Sequence, residues 1–121
     1  MASIPAPYLV GLGGAAGALL RHWVYAQLKR EGDAVPTATF TVNVVGSFVL
    51  GFLTAFDPGN DALLFAGTGA SGAFTTFSSF GFETVDRWYD GKKRAAVANA
   101  TASLVFSLTA VGFGWAVAGA L

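Results

Sequence analysis

The charged residues of this 121-residue chain are confined to three short windows, and this segregation constrains the fold more than any other feature. The windows cover residues 21–33, 57–61 and 83–94, and they hold all seven Lys and Arg and all seven Asp and Glu side chains. The four charge-free runs that remain contain 20, 23, 21 and 27 residues. Because a transmembrane helix needs about 20 mostly apolar residues, the pattern predicts an all-α integral membrane protein.

Four membrane-spanning helices in a single domain, residues 1–121, account for these runs. The predicted spans cover roughly residues 8–28, 37–56, 62–86 and 95–118. A soluble helical bundle of this size would show a charged face on each helix, and the runs show none. Asp57-Pro58-Gly59-Asn60 is a strong turn signal, which separates the second span from the third.

Composition and charge argue against several classes of function. The chain has no Cys, which excludes disulfides, Fe–S clusters and thiolate zinc sites. Its single His argues against a His-based metal site, and its zero formal net charge argues against a nucleic-acid partner. No acid/base pair or nucleophile with an adjacent base is visible, so we do not expect an enzyme.

Small polar residues recur every four positions in the second and fourth spans, and this spacing places them along one face of each helix. The stripes are Thr39, Asn43 and Ser47 in the second span, and Asn99, Ser103 and Ser107 in the fourth. Interhelical hydrogen bonds, worth roughly 0.6–2 kcal/mol each, would explain one such stripe. Two uncharged stripes that can both donate hydrogen bonds favour the wall of a pore for a small anion, or for water.

The first span contains a basic residue, Arg21, that has two interpretations. In the first, the side chain reaches the membrane interface with the help of Trp23 and Tyr25. In the second, it is a buried ion partner or part of an anion vestibule. Gly13 and Gly17 in the same span have the G-x-x-x-G spacing that lets helix backbones approach closely, and we expect them to serve packing.

The third span contains the most unusual segment. Residues 67–72 form a helix poorly, and the Thr75-Thr76 pair that follows favours a break near the middle of the helix. A break at membrane depth must be buried in protein or line a cavity, and the carbonyls it frees are ligands for hard cations. Phe77 and Phe80 share a helix face, and their electropositive ring edges can face an anion. Lipid contact or core packing would be the better explanation of these rings if they stood alone.

Three of these segments together resemble the Fluc (CrcB-type) fluoride ion channel family over nearly the full length of the chain. They are Gly13-Gly14-Ala15-Ala16-Gly17-Ala18-Leu19-Leu20-Arg21, Val42-Asn43-Val44-Val45-Gly46-Ser47-Phe48, and Gly72-Ala73-Phe74-Thr75-Thr76-Phe77-Ser78-Ser79-Phe80 with Glu83. The resemblance implies a passive channel that exports fluoride across the plasma membrane and lowers cytoplasmic fluoride. It also implies a dimer whose subunits insert in opposite orientations.

The resemblance further implies roles for individual residues. One structural Na⁺ at the dimer centre would be held by the backbone carbonyls of Gly72 and Thr75. The fluoride pathway would be lined by Phe77, Phe80, Asn43, Ser103 and Ser107, with Thr76 as a further hydroxyl donor. The family commonly has Tyr where Asn99 stands, which leaves the role of Asn99 open. Thr39, Ser47, Arg21 and Glu83 are further possible contributors.

Two other functions are compatible with four short spans. A small dual-topology drug/proton exporter would need a carboxylate in the membrane interior, but Glu83 stands at the end of the third run and no run contains an internal Asp or Glu. A membrane subunit that packs without conducting is the second alternative.

The charge distribution also predicts a topology. All seven basic residues fall in the first and third windows, which lie on the same side of a four-span chain. Because basic loops stay inside, we expect both termini outside. A homodimer inserted in both orientations should show little such bias, so a heterodimer with a similar subunit of opposite bias is an equally open expectation.

Overall fold

The structure is a computed structural model that describes residues 4–28 and 35–121. Lys29 and Arg30, which contribute to the topology prediction, lie outside the described residues. Within the described ranges every regular element is helical. The elements are α1 (Ala6–Leu28), α2 (Thr37–Phe56), α3 (Asn60–Ala62), a π-helix (Leu63–Ser71), α4 (Gly72–Phe74), α5 (Phe77–Tyr89) and α6 (Lys93–Gly119).

Two turns with left-handed backbone connect these elements. Asp57 ends α2 with φ 51°, and Gly59 follows with φ 108°. Gly91 has φ 79° between α5 and α6, a conformation that glycine adopts without the steric cost of a Cβ. Residues with positive φ therefore fall in two of the three charged windows.

Glycines allow the helices to pack backbone against backbone. A Cβ on Gly51 of α2 would collide with the Val111 carbonyl of α6, and α2 packs most extensively against α6. A Cβ on Gly13 or Gly17 of α1 would collide with main-chain atoms of Phe65 or Ala70. The packing role predicted for the G-x-x-x-G pair is thus confirmed.

The π-helix follows from the same close approach. It is unusually long for this wide helix, which normally occurs as a single turn and often marks a functional site. Gly69 is buried, and a Cβ there would lie 2.6 Å from the Val10 carbonyl of α1. The Ser71 hydroxyl donates to the Ala66 carbonyl five residues earlier at 2.8 Å, which matches the wider winding.

Glycines aside, the buried described residues include as many polar as apolar side chains. The buried apolar residues are Leu9, Ala38, Val42, Ala96 and Ala118, and the buried polar residues are Thr39, Ser71, Thr76, Asn99 and Ser103. Large apolar side chains such as Leu19, Leu108, Phe113 and Trp115 are instead exposed. Such an apolar exterior is typical of a surface that faces lipid or another protein.

Two helices are long and apolar enough to cross a membrane by themselves. They are α2, with a mean hydropathy of 1.7, and α6, with 1.6. The third predicted span is divided between several helical pieces, of which α5 has 13 residues. The all-helical fold and these two helices agree with a membrane protein, and the arrangement of four spans stays a prediction.

Candidate functional site

A cavity of about 570 Å³ lies between α2, α6 and the two pieces of the interrupted helix. We call it the groove. Nine residues that the sequence singled out line it: Asn43, Ser47, Gly72, Thr75, Thr76, Phe77, Phe80, Ser103 and Ser107. None of the charged side chains in residues 4–28 and 35–121 lines it. The groove therefore gathers residues from both polar stripes, the Thr-Thr pair and the aromatic pair in one place.

The helix is interrupted at Thr75 and Thr76, which both have extended backbone. Their φ and ψ angles are −80° and 162° for Thr75, and −149° and 120° for Thr76. The Thr76 hydroxyl then begins α5 as its N-cap, because Oγ1 accepts from the Ser79 amide at 3.2 Å. A Cβ on Gly46 of α2 would collide with Thr75 Cγ2, so α2 can approach the interruption only where it has no side chain.

Asn43 pairs with the main chain at this interruption. Its Nδ2 donates to the Thr76 carbonyl at 3.0 Å, and its Oδ1 accepts from the Thr76 amide at 2.7 Å. The Ser47 hydroxyl donates to the Asn43 carbonyl at 2.6 Å. Since an amide nitrogen has two hydrogens, Nδ2 retains one for another acceptor in the groove.

This pairing frees the two carbonyls that the resemblance assigned to Na⁺. In a continuous helix the Thr76 amide would donate to the Gly72 carbonyl, but here it donates to Asn43. The Ser79 amide would likewise donate to the Thr75 carbonyl, but it donates to the Thr76 hydroxyl.

Each freed carbonyl keeps one long interaction. The Gly72 carbonyl lies 3.4 Å from the Thr75 hydroxyl, whose single proton is shared with the nearer Ser71 carbonyl at 3.0 Å. The Thr75 carbonyl accepts from Arg21 Nη1 at 3.4 Å. Carbonyl oxygens are hard-cation ligands, so the donor chemistry fits Na⁺. Arg21 therefore reaches the interruption itself, although its side chain does not line the groove.

The two aromatic rings stand at the start of α5. The centroids of Phe77 and Phe80 are 5.8 Å apart, and the ring planes meet at 52°. Phe77 is 82% exposed, whereas Phe80 is half-buried. A tilted pair of this kind presents ring edges as well as faces to the groove.

Thr39 lies outside the groove and is hydrogen-bonded to a carboxylate group. Its hydroxyl donates to Glu83 Oε1 at 2.8 Å, and it also contacts the Tyr25 hydroxyl. Because the Thr39 proton goes to Glu83, Tyr25 is the donor of the second bond. Glu83 Oε2 is buried and has no hydrogen-bond partner among the described residues. Glu83 does not line the groove either.

Asn99 also lies outside the groove. It is 1% exposed, and its Nδ2 donates to the Thr84 hydroxyl at 2.7 Å. The Ser103 hydroxyl donates to Asn99 Oδ1 at 3.4 Å. Each polar stripe therefore has one member that turns towards α5 and two members that face the groove.

Sequence reasoning missed three residues. Thr68 and Ser71 of the π-helix line the groove. The sequence feature that could have indicated them is the presence of hydroxyl side chains among the glycines of residues 67–72. Thr84 carries no signal in a single sequence, because its importance depends on Asn99, which lies 15 positions away.

The fold and the groove define a class, namely a helical membrane protein with a largely apolar groove that carries neutral polar donors at an interrupted helix. The chain belongs to the CrcB family, because the family model described as CrcB-like protein, Camphor Resistance (CrcB), matches residues 8–115. This confirms the family that the motifs indicated.

Several relatives are similar over most of the chain. "Fluoride-specific ion channel FluC 2" of Haloarcula marismortui is 44% identical over 117 residues, which are 97% of each chain. "Fluoride-specific ion channel FluC 1" of Halobacterium salinarum is 42% identical over 92% of each chain. "Fluoride-specific ion channel FluC" of Ruminiclostridium cellulolyticum is 40% identical over 87% of this chain and 85% of that protein.

Proposed function

We propose that this chain is the subunit of a fluoride-selective ion channel that exports fluoride passively and lowers its cytoplasmic concentration. The observation that carries the proposal is the set of relatives named as fluoride-specific ion channels, one of which matches 97% of the chain. The uncharged groove supports it, since hydroxyl and amide donors can replace the water shell of a small anion without holding it tightly.

Different residues of the groove replace different parts of the water shell of the ion. Ser103 and Ser107 of α6 supply hydroxyl donors, and Asn43 supplies the amide hydrogen that Thr76 does not use. Phe77 and Phe80 supply ring edges between these donors. A narrow path of neutral donors favours fluoride over the larger chloride.

Passive export needs no coupling residue. Moving one negative charge outward gains about 2.3 kcal/mol per 100 mV when the cell interior is negative. A drug/proton exporter would instead need a carboxylate in its substrate path, and among the residues that the structure describes no Asp or Glu lines the groove. The protein is therefore an ion channel subunit rather than an exporter or an enzyme.

The channel is assembled, in this proposal, from two subunits in opposite orientations across the plasma membrane, each with four spans. The exposed rings and the open side of the groove support a covering partner, since Phe77 is 82% exposed. The carbonyls of Gly72 and Thr75 would hold one structural Na⁺ where the two interrupted helices meet, and this ion would tie the subunits together.

The test is fluoride efflux from proteoliposomes that contain the chain purified alone, with chloride efflux as the control. We expect fast fluoride efflux and little chloride efflux. Fluoride efflux from the single purified chain would argue against an obligatory partner subunit, whereas efflux only after addition of a similar subunit would support a heterodimer. Absence of fluoride efflux in both preparations would leave the non-conducting subunit as the better description.

A further inference from the structure

A chain of four hydrogen-bonded groups links α5 to α6 behind the groove. The Thr84 hydroxyl donates to the Phe80 carbonyl at 2.7 Å, and Asn99 Nδ2 donates to the Thr84 oxygen at 2.7 Å. The Ser103 hydroxyl donates to Asn99 Oδ1 at 3.4 Å. The two ends of this chain, Phe80 and Ser103, line the groove, whereas the two middle members do not.

Counting protons fixes the direction of every bond in the chain. Thr84 has a single hydroxyl proton, which goes to the Phe80 carbonyl, so its oxygen acts only as an acceptor towards Asn99. This turns the Asn99 amide so that its NH₂ group faces α5 and its oxygen faces Ser103. The Ser103 proton consequently points to Asn99 in the structure, and its long 3.4 Å bond is the weakest of the three.

The chain matters because α5 has few partners other than α6 among the described elements, one of them being the bond from Thr39 of α2 to Glu83. It packs mainly on α6 and much less on α2, and at its start it follows the extended residues Thr75 and Thr76. A buried polar bond between α5 and α6 therefore has a large influence on where Phe80 stands relative to Ser103. Asn99 is buried to 1% exposure, so it has no open route to an ion in the groove.

We propose that Asn99 and Thr84 form a positioning pair that sets the separation of Phe80 and Ser103 across the groove and aims the Ser103 hydroxyl. Asn99 acts through its neighbours and does not contact the ion. When an anion enters, Ser103 exchanges its weak bond to Asn99 for a bond to the anion, and the Asn99–Thr84 bond stays in place. This inference rests on the proposed channel function and assigns the selectivity of the groove to residues outside it.

A double-mutant cycle on the complete channel tests the pair. Thr84→Val and Asn99→Leu each remove the bond with little change in volume, and we expect each to slow fluoride efflux by roughly threefold to tenfold and to lower the ratio of fluoride to chloride efflux. The double variant should be no worse than the worse single variant, because neither partner is then left unpaired. Thr84→Ser keeps the hydroxyl and should behave as the wild type.

Thr109→Val is the matched control. It makes the same chemical change on α6, at an exposed threonine whose hydroxyl donates only to the Val105 carbonyl of its own helix, and it should leave efflux and selectivity unchanged. Two results would overturn the proposal. One is additive losses in the cycle, and the other is loss of efflux in Asn99→Leu while Thr84→Val conducts normally, which would make Asn99 a direct contact of the ion.

The thermal unfolding midpoints of the wild type, the two single variants Thr84→Val and Asn99→Leu, and the double variant give a readout that does not depend on conduction. Non-additive shifts of these midpoints would support the pair even if the wild type showed no fluoride efflux. The missing efflux would then refute the channel function and leave the pair standing. Additive shifts in the midpoints would refute the pair even if the wild type conducted fluoride.

Discussion

Asn43 holds both main-chain polar groups of Thr76, donating to the carbonyl at 3.0 Å and accepting from the amide at 2.7 Å. The oxygen of this α2 side chain thus replaces the Gly72 carbonyl as the acceptor that the Thr76 amide would have had in a continuous helix. Because its oxygen takes the Thr76 amide away from Gly72, the same side chain helps to create the carbonyl site proposed for Na⁺. Asn43 therefore connects the groove to the centre of the proposed dimer.

Asn43→Ala should destabilise the protein by about 1–3 kcal/mol, because it leaves the Thr76 amide without its partner and removes the Asn43 donor from the Thr76 carbonyl. Thermal unfolding in detergent measures this. Thr54→Val is the control, since the Thr54 hydroxyl is exposed and bonds only to the Leu50 carbonyl of its own helix. An Asn43→Ala protein as stable as this control would show that the pairing with Thr76 contributes nothing.

Gly46→Ala should destabilise the protein by about 1–3 kcal/mol, the usual result of overpacking, because the new methyl group would collide with Thr75 Cγ2. Thr75→Ser removes that methyl group and keeps the hydroxyl, so Gly46→Ala/Thr75→Ser should regain most of the loss in a thermal unfolding experiment. Gly112→Ala, where a Cβ meets nothing within 4 Å, is the control and should be neutral or slightly stabilising. Failure of the double variant to recover would place the clash elsewhere.

Phe80→Ile should slow fluoride efflux by roughly threefold to tenfold, because an aliphatic side chain lacks the electropositive ring edge, a contribution of about 0.5–1.5 kcal/mol. Proteoliposome efflux with a fluoride electrode gives the rate. Phe82→Ile is a matched change on the same helix, at a ring that is 73% exposed and outside the groove. If both variants conduct equally fast, the ring of Phe80 has no part in the pathway.

Replacing Na⁺ by a bulky organic cation at constant ionic strength should lower the thermal midpoint of the purified protein and reduce fluoride efflux. The expected loss is about 2.7 kcal/mol when Na⁺ was present at 100 times its dissociation constant, since the carbonyls of Gly72 and Thr75 would lose their cation. Replacing chloride by another anion in the Na⁺ buffer controls for a general salt effect. Unchanged stability and efflux without Na⁺ would contradict the carbonyl site.

The helical segments were predictable because charge is a local property of the sequence. The predicted limits of the second span, residues 37 and 56, are also the limits of α2. The Thr75-Thr76 pair and the small residues before it pointed to a weak place in the third helix for an equally local reason. Both inferences depend only on residues that are near each other in the chain.

The distribution of the polar stripes could not be predicted in the same way. A four-residue spacing shows that Thr39, Asn43 and Ser47 share a helix face, but it does not show which element lies opposite each of them. In the folded chain Thr39 faces Glu83, which is 44 positions away, and Asn43 faces Thr76, which is 33 positions away. Thr39 and Asn99 therefore lie outside the groove, and for Asn99 we propose the positioning role described above in place of contact with the ion.

The sequence by itself determined a helical membrane protein of the CrcB family, because charge segregation and three contiguous motifs are readable in one dimension. Only the tertiary structure decided which donors face the groove and which are used between helices. The physical reason is that a hydroxyl has one proton and an amide has two, so each donor's availability depends on the neighbour that packing brings to it. Ser107 of α6 lines the groove, whereas Asn99 of the same stripe is committed to Thr84.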